Sequence, residues 1–139
     1  MNSRKRKKLP GRLCSAAADG GVGELTKALA RGADPNARFE GATPLYLAAV
    51  QGERRCAELL LQAGARPNEE SHGRRSGLPL AAAATHADVA MSKLLLSHGA
   101  DPLQRESSGS SALDWVRGWD EDIEAHRSVE HLLEASVTT

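Results

Sequence analysis

The 139-residue chain balances 18 basic against 18 acidic residues, so its formal net charge of zero says nothing about a partner, and 40% of it is hydrophobic. Its aromatic residues are Phe39, Tyr46, Trp115 and Trp119, which leaves Leu and Ala to build the core and suits packed helices better than a sandwich of β-branched strands. No apolar run approaches the roughly 20 residues of a bilayer span, no hydrophobic segment follows the basic N-terminus as in a secretory signal, and Cys14 and Cys56 lack metal-ligand spacing; the expectation is a cytoplasmic protein with reduced thiols and no membrane contact.

Residues 1–12 carry Arg4, Lys5, Arg6, Lys7, Lys8 and Arg12 without an acid, a local charge of +6. We expect residues 1–8 to be a disordered basic tail. The run from Arg4 to Lys8 also fits a nuclear-import signal, or an arm able to neutralise up to about five phosphates of a nucleic acid. No aromatic side chain is interleaved to stack on bases, which argues against a dedicated single-strand binder.

A first helical pair is expected over "LCSAAADGG" (13–21) and "ELTKALA" (24–30), closed by "RGADPN" from Arg31. The second opens at "TPLYLAAVQG" (43–52). Thr43 can cap a helix with its hydroxyl, and Pro44 suits the first helical position, where its missing N–H would be unpaired anyway. Gly52 ends that helix, being free to take positive φ. A further helix runs to about Gln62, with Ala57, Leu60 and Leu61 as its apolar stripe, and Gly64 closes it. A long loop carrying Glu69, Glu70, His72, Arg74 and Arg75 leads to "LPLAAAATHA" (78–87), "MSKLLLS" (91–97) and "HGADPL" from His98. "SALDWV" (111–116) and "VEHLLEA" (129–135) form the last pair, with Trp115 expected to pack in the core and Trp119 to be exposed. Residues 114–139 hold seven acids against two bases, a local charge of −5.

These phrases recur in register. Gly32, Gly64 and Gly99 are spaced by 32 and 35, and Pro44 and Pro79 by 35. No single copy could bury its own apolar face, so stacking is required. The recurring T-P-L, A-A, G, L-L-L and G-A-D-P-N elements resemble the ankyrin repeat, over about residues 9–135. The resemblance implies an all-α solenoid of stacked helix-turn-helix units with extended, β-hairpin-like loops. Four repeats are expected, at approximately 9–37, 38–72, 73–105 and 106–135, followed by a short tail at 136–139. Two departures stand out. The family's histidine after T-P-L is replaced by Cys14, Tyr46, Ala81 and Asp114, so inter-repeat order is expected to rest on Leu and Ala packing. The loop from Gly64 to Pro79 is also longer than that from Gly32 to Pro44.

The motifs of common catalytic sites are missing: there is no G-x-S-x-G, H-E-x-x-H or phosphate-cradling loop. Asp120, Glu121, Asp122 and Glu124 lack the alternation and central glycine of a calcium loop and read as a solvated edge. His126 and His131 are five apart, which is not the i,i+4 spacing of a helical metal pair. No enzyme activity, cofactor or metal is therefore expected. The resemblance implies a protein-binding module, an adaptor, scaffold or stoichiometric inhibitor, that meets its partner with a concave face and loop tips. Carried over by register, the contact residues are Phe39, Glu40, Tyr46, Val50, Gln51, His72, Arg74, Arg75, Thr85, His86 and Trp119. Phe39 stands out as an aromatic in a polar loop, and Arg74 with Arg75 points to an acidic surface on the partner. The chain is expected to be a monomer. The alternative is a nuclear or nucleic-acid-associated regulator acting through Arg4, Lys5, Arg6, Lys7 and Lys8.

Overall fold

In a computed structural model, residues 3–74, 76–118 and 124–137 are described, with side chains from residue 8 onward. Arg75 and Trp119 lie outside the described residues, as do the acidic residues Asp120, Glu121 and Asp122. Among the described residues there are eight helices. They are α1 (Ser3–Asp19), α2 (Val22–Ala30), α3 (Pro44–Gln51), α4 (Arg54–Gln62), α5 (Pro79–Thr85), α6 (Val89–Ser97), α7 (Ala112–Arg117) and α8 (Glu124–Val137). Successive helices pair as antiparallel hairpins, and the pairs stack: α1 on α3, α3 on α5, α5 on α7 form an inner layer, with α2, α4, α6 and α8 outside it. The all-α repeat solenoid expected from the sequence is what the chain forms. No helix among the described residues is long and apolar enough to cross a membrane.

Composition explains the two layers. Inner helices bury alanines, Ala16 and Ala17, Ala48 and Ala49, and Ala81 to Ala84, whose small side chains let neighbouring helices approach closely. Outer helices supply the bulk, with Leu25, Leu60, Met91, Leu95, Val129 and Leu133 fully buried between layers. The helix signals act where the sequence puts them. Thr43 is extended and its hydroxyl accepts the Tyr46 N–H at 3.3 Å, with Pro44 as the first helical residue. Gly52 ends α3 at φ 69°, a left-handed conformation that costs glycine nothing sterically. The last repeat uses a capping box: Ser111 Oγ accepts the Asp114 N–H at 3.2 Å, and the Asp114 carboxylate accepts the Ser111 N–H at 2.9 Å. Those bonds, with Arg105 and Arg117 nearby, hold the Asp114 carboxyl below the ordinary carboxylate range.

Each inner helix from α3 onward is entered through a hairpin finger. Single antiparallel bridges close them: Phe39 with Ala42, Ser71 with Gly77, and Arg105 with Ser111. In the first unit the residues aligned with such a finger lie in α1 itself. The basic residues 4–8, expected as a disordered tail, fall in the first turns of α1 instead. Pro10 also lies inside this helix, where it withholds one backbone N–H from the ladder.

Order between repeats does not rest on apolar packing alone. Asn36 Nδ2 donates to the Gly64 carbonyl at 3.0 Å, while its Oδ1 accepts the Arg66 N–H at 2.8 Å. Asn68 repeats both bonds one unit on, to the Gly99 carbonyl at 3.0 Å and the Asp101 N–H at 2.8 Å. The primary amide, with a donor and an acceptor on one planar group, is the side chain that can make both bonds at once. In the third unit this position is Leu103, 52% exposed, and the ladder stops there. At the far end Arg117 clips α7 to α8 through Glu130 at 3.1 Å and Glu134 at 2.6 Å, a polar cap for the last repeat. Burial pushes the Cys14 thiol up to about 11 and raises the Cys56 thiol as well, so both act as small apolar side chains. Replacing Asn68 with Ala removes two inter-repeat bonds and should destabilise the fold by about 1–2 kcal/mol in urea unfolding, whereas Leu103→Ala should change it by less than about 0.5 kcal/mol.

Candidate interaction surface

The three fingers lie side by side, the first two locked together through backbone and the last two through side chains. Finger one is a two-residue hairpin, with Glu40 at φ 52° and Gly41 at φ 86°, positive at both central positions as a type I′ turn requires. The His72 N–H of finger two donates to the Gly41 carbonyl at 2.9 Å. The approach is close enough that a methyl group on Gly41 would stand 2.8 Å from the His72 carbonyl oxygen, and one on Gly73 would stand 2.5 Å from that of Glu40. Side chains reinforce the contact. Arg38 donates to the Gly41 carbonyl at 2.9 Å and to Glu69 at 3.2 Å, while Tyr46 donates its hydroxyl to the Ser76 carbonyl at 3.0 Å. Between fingers two and three, Glu70 accepts the Ser107 N–H at 2.7 Å and its hydroxyl at 3.0 Å.

Between fingers one and two opens a groove of about 690 Å³, lined by Phe39, Glu40, Ala42, Leu47, Gly73 and Arg74. Its apolar lining comes from Phe39, 46% exposed, and from half-buried Leu47 on α3. Its charges are Glu40 and Arg74, both exposed, neither in an ion pair among the described residues. Glu40 holds a left-handed backbone that Gly, Asn or Asp adopts more readily, which costs about 1 kcal/mol.

Of the residues carried over by register, the groove brings together Phe39, Glu40 and Arg74. His72 is exposed on finger two, where its contribution to the finger contact is made by backbone. Tyr46 is half-buried, with its N–H in the Thr43 cap and its hydroxyl on finger two. Val50 is half-buried and Gln51 exposed at the end of α3. Thr85 and His86, at the end of α5, hydrogen-bond back to the Ala81 and Ala82 carbonyls, both at 2.8 Å. Arg75 and Trp119 fall outside the described residues.

Trp115 corrects the sequence reading. It is 40% exposed rather than packed, and its indole N–H donates to Glu106 at 2.9 Å. The other oxygen of Glu106 accepts the Leu78 N–H at 2.9 Å, so this carboxylate ties finger three to the start of α5 and to Trp115 within α7. Leu47 was also missed. Leu47, Ala82 and Trp115 are each the fourth residue of an inner helix, a shared register available from the alignment of Pro44, Pro79 and Ala112; Leu47 is half-buried and Trp115 exposed there, while the small Ala82 is buried. Among the described residues no three His, Cys, Asp or Glu side chains converge to hold a metal ion. His126 is buried, with Nε2 3.3 Å from the Thr85 carbonyl, and serves the α8–α5 contact.

A family model described as ankyrin repeats, in three copies, matches residues 13–106. Inversin of Danio rerio is 38% identical over 94 residues, covering 66% of this chain and 9% of that protein. Ankyrin repeat and SOCS box protein 11 of Homo sapiens is 39% identical over 72 residues, 52% of this chain and 21% of that protein. The potassium channel KOR1 of Oryza sativa subsp. japonica is 46% identical over 54 residues, 38% of this chain and 6% of that protein. The matches thus span at most 21% of these curated relatives. Gly73→Ala sets a methyl group against the Glu40 carbonyl at positive φ, and should lower stability by about 1–3 kcal/mol in thermal or urea unfolding.

Proposed function

The chain belongs to the ankyrin-repeat family, and from that premise we propose that it is a non-enzymatic protein-binding module whose partner sits on the finger edge and the exposed side of the inner helices. Ankyrin repeats are protein–protein interaction modules; the surface, the partner's chemistry and the role as adaptor, scaffold or inhibitor are proposed here. The groove between fingers one and two carries it. An exposed aromatic beside an aliphatic lining, flanked by an acid and a base that make no ion pair among the described residues, resembles a binding anchor more than a solvated loop. The fingers are braced by backbone bonds and by glycines with no room for a side chain, so little ordering entropy is lost when a partner docks.

The partner's matching element is an apolar side chain flanked by acidic residues, the apolar group on Phe39 and Leu47 and an acid on Arg74, with Arg75 next in sequence. Glu40 orients it by favouring a base or a backbone N–H at the opposite wall. A monomer binding one copy of its partner is the simplest stoichiometry. Affinity capture of the partner from native cells tests this reading. Leu47→Ala with Arg74→Ala should weaken capture by about 2–4 kcal/mol, which is about 30-fold or more, while helical circular dichroism is unchanged. Undiminished capture would move the interface off this groove.

A further inference from the structure

The first inner helix is built unlike the other three. α1 runs for 17 residues, against 8 for α3, 7 for α5 and 6 for α7. Its Leu13 is the register equivalent of Leu45, Leu80 and Leu113, all buried, so residues 3–11 extend beyond the point where the other inner helices begin. Those helices are preceded there by fingers. The extra turns of α1, about 13 Å of helix, therefore take the place of a finger at the start of the row.

Finger one is seated on this extension. A methyl group added to Gly11 would meet the Phe39 ring at 3.2 Å, so the ring lies on the α1 backbone where the helix lacks a side chain. Lys8, exposed, is three residues before Gly11 and thus its neighbour on the helix surface. The five consecutive bases Arg4 to Lys8 fill the turns beyond, and no acid lies among residues 1–12. The half-exposed Phe39 ring thus packs on the helix that carries the longest run of bases in the sequence.

We propose that these turns are a fourth element of the recognition edge, and that they dock an acidic segment of the protein partner bearing an apolar residue, with the apolar group on Phe39 and the acids along residues 4–8. Charge complementarity argues for an acidic occupant, and the surroundings argue for a peptide rather than a nucleic acid. No aromatic side chain precedes Phe39 to stack a base, whereas the Phe39 ring offers an apolar seat that a peptide side chain can fill. A peptide can place its acids on α1 alone. The inference rests on the fingers forming a protein-binding edge.

Fluorescence anisotropy with the full chain tests it. The probes are a labelled 12-residue peptide of Glu-Glu-Leu repeats and a labelled 12-nucleotide oligo(dT), each titrated at low and at physiological salt. The peptide should bind more tightly than the oligonucleotide. The quadruple variant K5Q/R6Q/K7Q/K8Q, which keeps helix propensity, should bind it at least about tenfold more weakly and with a shallower salt dependence. Phe39→Ala should weaken peptide binding about fivefold and leave the salt dependence unchanged. Tighter binding of the oligonucleotide, no binding of the peptide, or peptide binding undiminished in the quadruple variant would overturn the proposal. Loss of the captured cellular partner with Leu47→Ala and Arg74→Ala, but not with the quadruple variant, would overturn it too while leaving the groove reading intact.

Discussion

A carboxamide that bridges two repeats is the interaction on which the working surface depends. Asn36 and Asn68 each give an N–H to the carbonyl of a closing glycine, and each takes the N–H two residues beyond it. A stack of alanine-rich helices could slide or tilt at little cost, since small smooth side chains interlock weakly. The amide bridge fixes one repeat against the next at the base of each finger. With that base fixed, the fingers can approach until Gly41 and Gly73 meet backbone, and the groove between them keeps its shape. The ladder ends at Leu103, and beyond it Glu106 and Glu70 hold finger three by carboxylate bonds instead.

The surface that results is assembled from features of different origin. Its apolar part comes from Phe39 and Leu47, the first on a finger and the second on a helix. Its charges, Glu40 and Arg74, stand on adjacent fingers whose backbones bond to each other. One of these charges is held in a left-handed turn position that another residue would occupy at lower energy. Local strain of this kind persists where the surroundings over-determine it, which suits a residue kept for contact rather than for folding. The outer helices and their Leu core serve this surface only by giving the inner helices a rigid backing.

Much of the fold was legible because its signals are local. Thr43 and Pro44 mark a helix start, Gly52 and Gly64 mark helix ends, and Leu60 with Leu61 marks a buried stripe, each readable within a few residues. What escaped depends on contacts between repeats. The sequence shows Asn36 and Asn68 32 residues apart, but their local context reads as a turn, and the partners that give them their role lie about 30 residues away. Trp115 was misassigned because an apolar helical residue near Leu113 looks like core; its exposure and its bond to Glu106 depend on finger three, which its helix neighbours do not reveal. The left-handed conformation at Glu40 has no compositional signal, since Glu rarely takes it. In the candidate surface, Phe39, Glu40 and Arg74 came from register, whereas the groove that unites them required knowing how closely two fingers approach.

The central claim is that amide bridges and backbone contacts hold the finger row rigid before any partner arrives. Native-state hydrogen exchange at three amides addresses it most directly: Arg66 and Asp101, bonded to asparagine side chains, and His72, bonded to Gly41. All three residues are exposed, so burial alone would not protect them. The account predicts exchange slowed at least about a hundredfold relative to an unstructured loop, with protection at Arg66 lost in Asn36→Ala. Exchange at unprotected loop rates in the intact chain would contradict it.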